Sequence, residues 1–132
     1  MAAVADSSFL IALLDGEKWA EEFWENVKKG ERVYISTVSL AAASMSLWRD
    51  GRGWQVDLLV AALKQVLSVS VVLLDVKIAL DAGRFMHLAK SDMEGGAVIA
   101  TALLKNCDKI VTKRRDIVEV VEKYGLKAIT PS

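Results

Sequence analysis

An α/β fold with a central, mostly parallel five-stranded sheet is predicted for this chain of 132 residues. Short runs of β-branched or small apolar residues alternate along the sequence with longer segments whose apolar residues recur at helical spacing. Strands that are separated by helices need right-handed crossovers, which make neighbouring strands parallel. The length corresponds to a single domain over residues 1–132, and no linker, repeat or low-complexity segment divides it.

The amino-terminal part of the chain predicts one strand and two helices. Residues 2–5 are small and apolar and end at Asp6, which suits a central strand. Residues 9–14 continue as a helix, because the two serines before them are good N-cap residues. Residues 17–29 form an amphipathic helix that ends at Gly30, in the C′ position.

The middle of the chain predicts two strands on either side of a helical hairpin. Residues 32–36 are β-branched and aromatic enough for a strand, and residues 37–48 read as a helix of small residues. A turn over residues 50–53 leads into a helix over residues 54–67. Residues 69–74 form the third strand.

The carboxy-terminal part predicts three helices and two strands. Residues 76–90 form a helix, and residues 97–104 are apolar nearly all round, so their helix should lie against the sheet. Residues 109–112 are the fourth strand. A last helix over residues 117–124 is followed by a fifth strand over residues 127–129.

Composition describes an ordinary globular protein, with 53% hydrophobic and 26% charged residues. Basic and acidic residues each total 17, so no overall positive charge points to nucleic acid. Cys107 is the single cysteine, which excludes an intrachain disulfide and a cysteine-based zinc cluster. The longest uncharged run, residues 33–48, is too short for a membrane helix, and residues 1–5 lack the basic region of a signal peptide. A cytoplasmic protein without a membrane anchor is therefore predicted.

The carboxyl end of the fourth strand is the predicted site, because ligands of open α/β sheets bind at strand ends. Thr112 closes this strand, and Lys113, Arg114, Arg115 and Asp116 follow it. The three basic residues could contact the phosphates of a substrate, or they could form a solvated turn. Asp116 could join the site or serve as N-cap of the last helix.

The end of the first strand adds an acid and two hydroxyls to the same edge. Asp6 could be a metal ligand or only the N-cap of the first helix. Ser7 and Ser8 are candidates for contacts with a substrate.

Several segments carry a family resemblance, in the order Asp6-Ser7-Ser8-Phe9-Leu10, Ser36-Thr37-Val38-Ser39-Leu40, Ala100-Thr101-Ala102-Leu103, Ile110-Val111-Thr112 with Asp116, and Ile129-Thr130-Pro131. Together they resemble the PIN-domain family, and within it the VapC-type toxins and their archaeal relatives. The resemblance implies a three-layer α/β/α domain, frequently dimeric, that acts as a ribonuclease on single strands. It also implies Mg²⁺ or Mn²⁺ held by clustered carboxylates.

Three positions where the resemblance implies acidic ligands carry other residues, namely Ala42, Gly95 and Arg114. Asp6 and Asp116 remain acidic, and Glu94 lies beside one of the lost positions. Asp92 and Glu94 are expected to cap or begin the helix that contains residues 97–104, and Glu94 could instead be a metal ligand. The resemblance therefore leaves open whether this chain binds a metal at all. Restoring the acids with Ala42→Glu, Gly95→Asp and Arg114→Asp should recover metal binding.

Arg114 would bring a positive charge to the place where the cation should bind. At ~4 Å, two like charges repel by roughly 1 to 4 kcal/mol, which weakens metal binding ten-fold or more. We therefore expect Arg114 to pair with Asp6, with its guanidinium in place of the metal. A melting temperature that does not respond to Mg²⁺ or Mn²⁺ follows from this pairing.

Two functions remain open from the sequence. In the first, the metal site is degenerate, ribonuclease activity is weak or absent, and the protein acts by binding RNA, an antitoxin-like partner or a second copy of itself. In the second, Asp6, Asp116 and Glu94 hold one metal ion in an active endoribonuclease, the toxin of a toxin–antitoxin pair. A magnesium site can be built from one or two carboxylates together with the substrate.

The remaining conspicuous side chains favour structural roles. His87 is the single histidine and lies among helical apolar positions, which disfavours a catalytic role. Trp48 and Trp54 flank an arginine- and glycine-rich turn and could stack on bases, although core packing or a dimer contact is the commoner use.

Overall fold

A computed structural model describes residues 2–131 of the protein. All strands of this range lie in one parallel sheet: β1 (Ala2–Ala5), β2 (Arg32–Ser36), β3 (Val69–Val72), β4 (Lys109–Val111) and β5 (Lys127–Ile129). Their order is β3-β2-β1-β4-β5, so the first strand of the chain lies at the centre. The predicted parallel sheet of five strands is confirmed.

Helices connect the strands. Over residues 2–131 they are α1 (Ser7–Leu14), α2 (Lys18–Lys28), α3 (Thr37–Arg49), α4 (Gln55–Lys64), α5 (Val76–Ala89), α6 (Met93–Leu104), α7 (Arg115–Val121) and a 3₁₀ helix (Glu122–Tyr124). None of these helices is both long enough and apolar enough to cross a membrane.

Two apolar cores lie on the two faces of the sheet. In β1, Val4 belongs to the core that also contains residues of α5, α6 and α7, whereas Ala3 and Ala5 belong to the core beneath α1, α2 and α4. This alternation is the two-residue period of a strand that is buried on both sides. The three-layer α/β/α architecture implied by the resemblance is therefore confirmed.

The close packing of α5 against α6 depends on Gly96. A Cβ atom at this position would lie 2.4 Å from the carbonyl oxygen of Ala82 in α5, a distance that real Cβ atoms do not adopt. The α6 segment is buried from Glu94 to Ala102. Glycine thus lets α6 sit deep between α5 and the sheet, with its amino end at the carboxyl edge of the strands.

Several predicted boundaries need correction. The helix predicted over residues 54–67 ends at Lys64, and Leu67, which lies beyond that end, is 96% exposed. The strand predicted over residues 69–74 ends at Val72. The last helix begins at Arg115, earlier than predicted.

The two tryptophans beside the turn do not pack in the core. Trp48 and Trp54 are each about two-thirds exposed, at 66% and 67%. The ring of Trp48 lies over Gly53, where a Cβ atom would come within 2.2 Å of it. Core packing, one of the uses predicted for these residues, is therefore wrong, and base stacking or a dimer contact stays a prediction. His87 is exposed on α5.

Candidate functional site

The candidate site lies at the carboxyl ends of the adjacent strands β1 and β4. Asp6 follows β1 directly, and its backbone N–H donates to the carbonyl of Val111, 3.2 Å away, which extends the pairing by one residue. The amino ends of α1, α6 and α7 meet at this edge, bringing Glu94 and Asp116 toward the strand ends. This convergence follows from the parallel topology, because every helix that packs back along the sheet begins or ends at a strand end.

Asp6 is fully buried, and donors of the chain itself satisfy its carboxylate. One oxygen accepts hydrogen bonds from the hydroxyl of Ser8 at 2.6 Å and from the backbone N–H of Phe9 at 3.2 Å. The other oxygen accepts a hydrogen bond from the hydroxyl of Thr112. Asp6 therefore caps α1, as one of its predicted alternatives required.

Burial raises the pKa of Asp6 from 3.8 to about 6. The hydrogen bonds from Ser8 and Thr112 lower this pKa, and the negative charge of Glu94 raises it. Asp6 is thus a carboxyl group that the fold holds away from water and close to a second acid.

Glu94 is the second buried acid of the site, with 7% of its surface exposed. Its carboxylate accepts hydrogen bonds from the backbone N–H and from the hydroxyl of Ser7, both at 2.8 Å. These bonds join the first turn of α6 to the start of α1. Ser7 and Ser8 are hydrogen-bonded to Glu94 and Asp6, and their contact with a substrate stays a prediction.

Arg114 binds the acids at the rim of the site. Its guanidinium forms a bidentate pair with Asp116, at 3.1 Å and 2.6 Å, and its Nη1 lies 3.1 Å from Asp92 and 3.5 Å from Glu94. The hydrogen bond with Asp116 raises the pKa of Arg114 and lowers that of the carboxyl group. The predicted pairing of Arg114 with Asp6 is wrong. Asp6 lies deeper in the protein, and its oxygens accept hydrogen bonds from Ser8, Phe9 and Thr112.

Asp116 is not the N-cap of α7. Arg114 occupies that position without a side-chain cap, and Asp116 lies in the first turn, where its charge still favours the positive end of the helix dipole. Asp92 caps α6 by accepting from the N–H of Gly95 at 2.9 Å, and Glu94 stands in the first turn. The prediction that Asp92 and Glu94 cap or begin this helix is confirmed.

The other two basic residues of the turn differ in their surroundings. The ammonium of Lys113 lies 3.0 Å from both carboxylate oxygens of Glu17, and this bond lowers the pKa of Glu17. The backbone N–H of Lys113 donates to the hydroxyl of Ser8 at 2.7 Å. Arg115 is exposed on the first turn of α7. A contact of these residues with phosphate stays a prediction.

Two site residues were missed by sequence reasoning. Asp92 was predicted only to cap or begin the helix, although an acid at the start of α6 and an arginine in the turn after β4 lie at the same edge of the sheet. Glu17 lies far along the chain from Lys113, and nothing in its local sequence pattern indicates that contact.

The positions of the lost acids differ in how readily they could hold a carboxylate. Ala42 is half-buried on α3. Gly95 is buried, and a Cβ atom there would lie 2.8 Å from the Cβ of Ser91 and 3.3 Å from Asp92. Gly95→Asp therefore requires a local shift of the chain that the sequence did not reveal.

The side chains of the site do not fit a divalent cation. The carboxylate oxygens of Asp6 and Glu94 all accept hydrogen bonds from side chains or backbone of the chain, and Arg114 supplies a positive charge beside Glu94. Within residues 2–131, no group of three or more His, Cys, Asp or Glu side chains is arranged to hold a metal ion. Divalent cations bind oxygens that face a common point, and here those oxygens face hydroxyl, amide and guanidinium donors.

Residues 3–123 match the family model described as PIN domain. No curated protein matches the chain. Among solved structures, the fold is similar to a toxin–antitoxin complex from Klebsiella pneumoniae, at 17% identity, with a TM-score of 0.73 and 98% of each chain covered. It is also similar to VapC20 of Mycobacterium tuberculosis, a toxin that cleaves the sarcin–ricin loop, at 16% identity and a TM-score of 0.74, covering 89% of this chain and 93% of that one. VapBC2 of Rickettsia felis, bound to a DNA fragment from its promoter, matches at 12% identity and a TM-score of 0.75 over 100% of both chains.

Proposed function

Because the chain belongs to the PIN-domain family and has the fold of VapC-type toxins, we propose that it acts by binding a protein partner of the antitoxin class, with weak or no ribonuclease activity. The degenerate site predicted from the sequence is part of this proposal. Binding of RNA and formation of a homodimer stay predictions beside it.

One observation carries the proposal. The acids at the strand edge are engaged by the protein itself: Asp6 by Ser8, Phe9 and Thr112, and Glu94 by Ser7 and Arg114. A metal-dependent nuclease needs carboxylates that are free to hold the cation and to present a water molecule to phosphorus. Asp6 and Glu94 would first have to give up these hydrogen bonds.

An apolar groove supports a protein partner. It has a volume of about 450 Å³ and lies between α3, α4 and the edge strand β3, with Leu40, Leu63, Val69 and Val71 among its lining. Among the described residues that line the groove, Lys64 is the single charged one. Nucleic acid binding depends on several basic residues that neutralise phosphates, so this groove favours an apolar peptide segment over RNA.

Two of the similar structures are a toxin–antitoxin complex and VapBC2 bound to DNA, and the third is the toxin VapC20. At identities of 12–17%, these structures support only a shared fold. The antitoxin-like partner is our proposal, based on that fold together with the groove.

A cleavage assay tests the loss of ribonuclease activity. The wild-type protein and Asp6→Asn are incubated with Mn²⁺ and a mixture of single-stranded RNAs and structured ribosomal RNA fragments. We expect the RNA to remain equally intact with both proteins, because the Asp6 carboxylate is already engaged in hydrogen bonds. Cleavage by the wild type that Asp6→Asn abolishes would establish the alternative, an active metal-dependent endoribonuclease.

A further inference from the structure

Arg114 joins acids from two helices and from the interior of the site. Its fork binds Asp116 of α7 through two hydrogen bonds, and its Nη1 reaches both Asp92 and Glu94 at the start of α6. Only 24% of the arginine side chain is exposed, so water screens these contacts less than it screens an ordinary surface pair. Three negative charges thus share one permanent positive charge.

The backbone N–H groups of Lys113 and Arg114 hold the turn that carries the guanidinium in this position. The N–H of Arg114 donates to the hydroxyl of Thr112 at 2.9 Å, and that hydroxyl donates in turn to Asp6. The N–H of Lys113 donates to the hydroxyl of Ser8, which also donates to Asp6. The turn after β4 is therefore tied to the buried acid through two hydroxyls, although Asp6 does not touch the guanidinium.

On the basis of the proposed loss of metal-dependent cleavage, we propose that the Arg114 guanidinium is the resident cation of this site and excludes divalent metal ions from it. It pairs with Asp92, Glu94 and Asp116, the carboxylates at the edge where the resemblance implied Mg²⁺ or Mn²⁺. A divalent ion would have to approach the same oxygens against a like charge a few ångströms away.

Thermal unfolding of Arg114→Gln with and without MnCl₂ tests this role. Without metal, the three acids lose their common partner, and we expect the melting temperature to fall by roughly 3–10 °C. MnCl₂ should restore much of this loss, and calorimetric titration should show Mn²⁺ binding at least ~10-fold tighter than to the wild type. The wild-type melting temperature should not respond to MnCl₂.

Matched variants separate charge from shape and from general effects. Arg115→Gln removes the neighbouring exposed arginine and should behave as the wild type. Arg114→Lys keeps the positive charge without the fork and should stay insensitive to MnCl₂. Adding Glu94→Gln to Arg114→Gln should abolish the response to Mn²⁺, because it removes the buried carboxylate of the cluster.

Two results would overturn the role of Arg114: a wild-type response to MnCl₂ as large as that of Arg114→Gln, or no gain of Mn²⁺ binding by Arg114→Gln. If Arg114→Gln unfolds without metal, refolding in MnCl₂ supports the proposal, and failure to refold in MnCl₂ contradicts it. Metal binding and RNA cleavage are read separately, so a protein that neither cleaves RNA nor gains Mn²⁺ affinity would retain the proposed function and lose this inference.

Discussion

Asp6 is a carboxylate inside the protein, at a position where most buried polar groups would be uncharged. Three donors of the chain compensate its burial, yet its pKa still lies near 6. The folded protein therefore prefers protonated Asp6 more strongly than the unfolded chain does. Stabilisation by that proton is fully present below about pH 4 and is lost as the pH rises through 6.

Asp6→Asn should reveal this linkage. The amide keeps one oxygen as acceptor for Ser8 and Phe9 but carries no charge, so the variant should gain stability relative to the wild type as the pH rises. One pKa unit corresponds to about 1.4 kcal/mol, and the change in relative unfolding free energy between pH 4 and pH 7 should be about 2–3 kcal/mol. Urea unfolding of both proteins at each pH measures it, and a difference that stays constant with pH would contradict the assigned burial.

At the scale of single residues, the sequence predicted where the site lies but not which of its side chains contact one another. Strand ends in a parallel sheet share one edge, so Asp6 and Thr112 could be placed together in advance. Which acid Arg114 meets depends on depth: Asp6 is covered by two hydroxyls, whereas Asp116 and Asp92 are more than half exposed at the rim. Depth of this kind arises from tertiary packing and has no signature in local sequence.

Among the secondary structure elements, the contact between α5 and α6 sets how far α6 enters the fold and hence where Glu94 stands. The contact has no room for a side chain at Gly96, since a Cβ atom would meet the backbone of Ala82 and the side chain of Met86. Gly83 in α5 offers the opposite case, because nothing lies within 4 Å of an added Cβ atom there.

Alanine at these two glycines should have opposite effects. Both positions are inside helices, so each replacement gains roughly 0.5–1 kcal/mol from helix propensity. Gly83→Ala should keep this gain. Gly96→Ala should lose about 1–3 kcal/mol net, because α5 and α6 must separate. Chemical denaturation of the two variants checks the contrast, and equal shifts would argue against the close approach of the two helices.

Element boundaries were predictable where the sequence pattern changes sharply. β1, β2 and β5 have the bounds that were predicted, because charged, capping or turn residues adjoin each of them. The end of α4 was not predictable from periodicity, since Val66 continues the apolar pattern. In the structure, Val66 instead belongs to a turn that leads into β3. Its carbonyl oxygen accepts a hydrogen bond from the N–H of Val69.

For the molecule as a whole, the class of fold followed from the alternation of strands and helices, but the strand order did not. Order depends on pairing between segments far apart in the chain, such as Val4 with Ile110, and local patterns do not encode it. The groove beside β3 was equally hidden, because it is formed by residues of α3, α4 and the edge strand together.

Leu67 lines this groove and is 96% exposed, so replacing it tests whether the groove binds a peptide. Peptides selected from a random library for binding to the wild-type protein should be apolar. Their affinity should fall roughly ten-fold or more with Leu67→Asp, which places a charge in an apolar contact. Leu80→Asp, at another exposed leucine on α5, is the matched control and should leave binding unchanged. Selected peptides that ignore Leu67→Asp would contradict the groove as the docking surface.

The central position of β1 has a consequence for synthesis on the ribosome. This strand is made before the other four strands of the sheet, yet one of its two neighbours consists of residues 109–111, so its second side stays unpaired until those residues have emerged. Sheets that rely on such distant pairings fold slowly and expose unpaired strands meanwhile. We therefore expect nascent chains that stop before β4 to be recognised by chaperones and degraded, and a released full chain to gain protease resistance in a single late step.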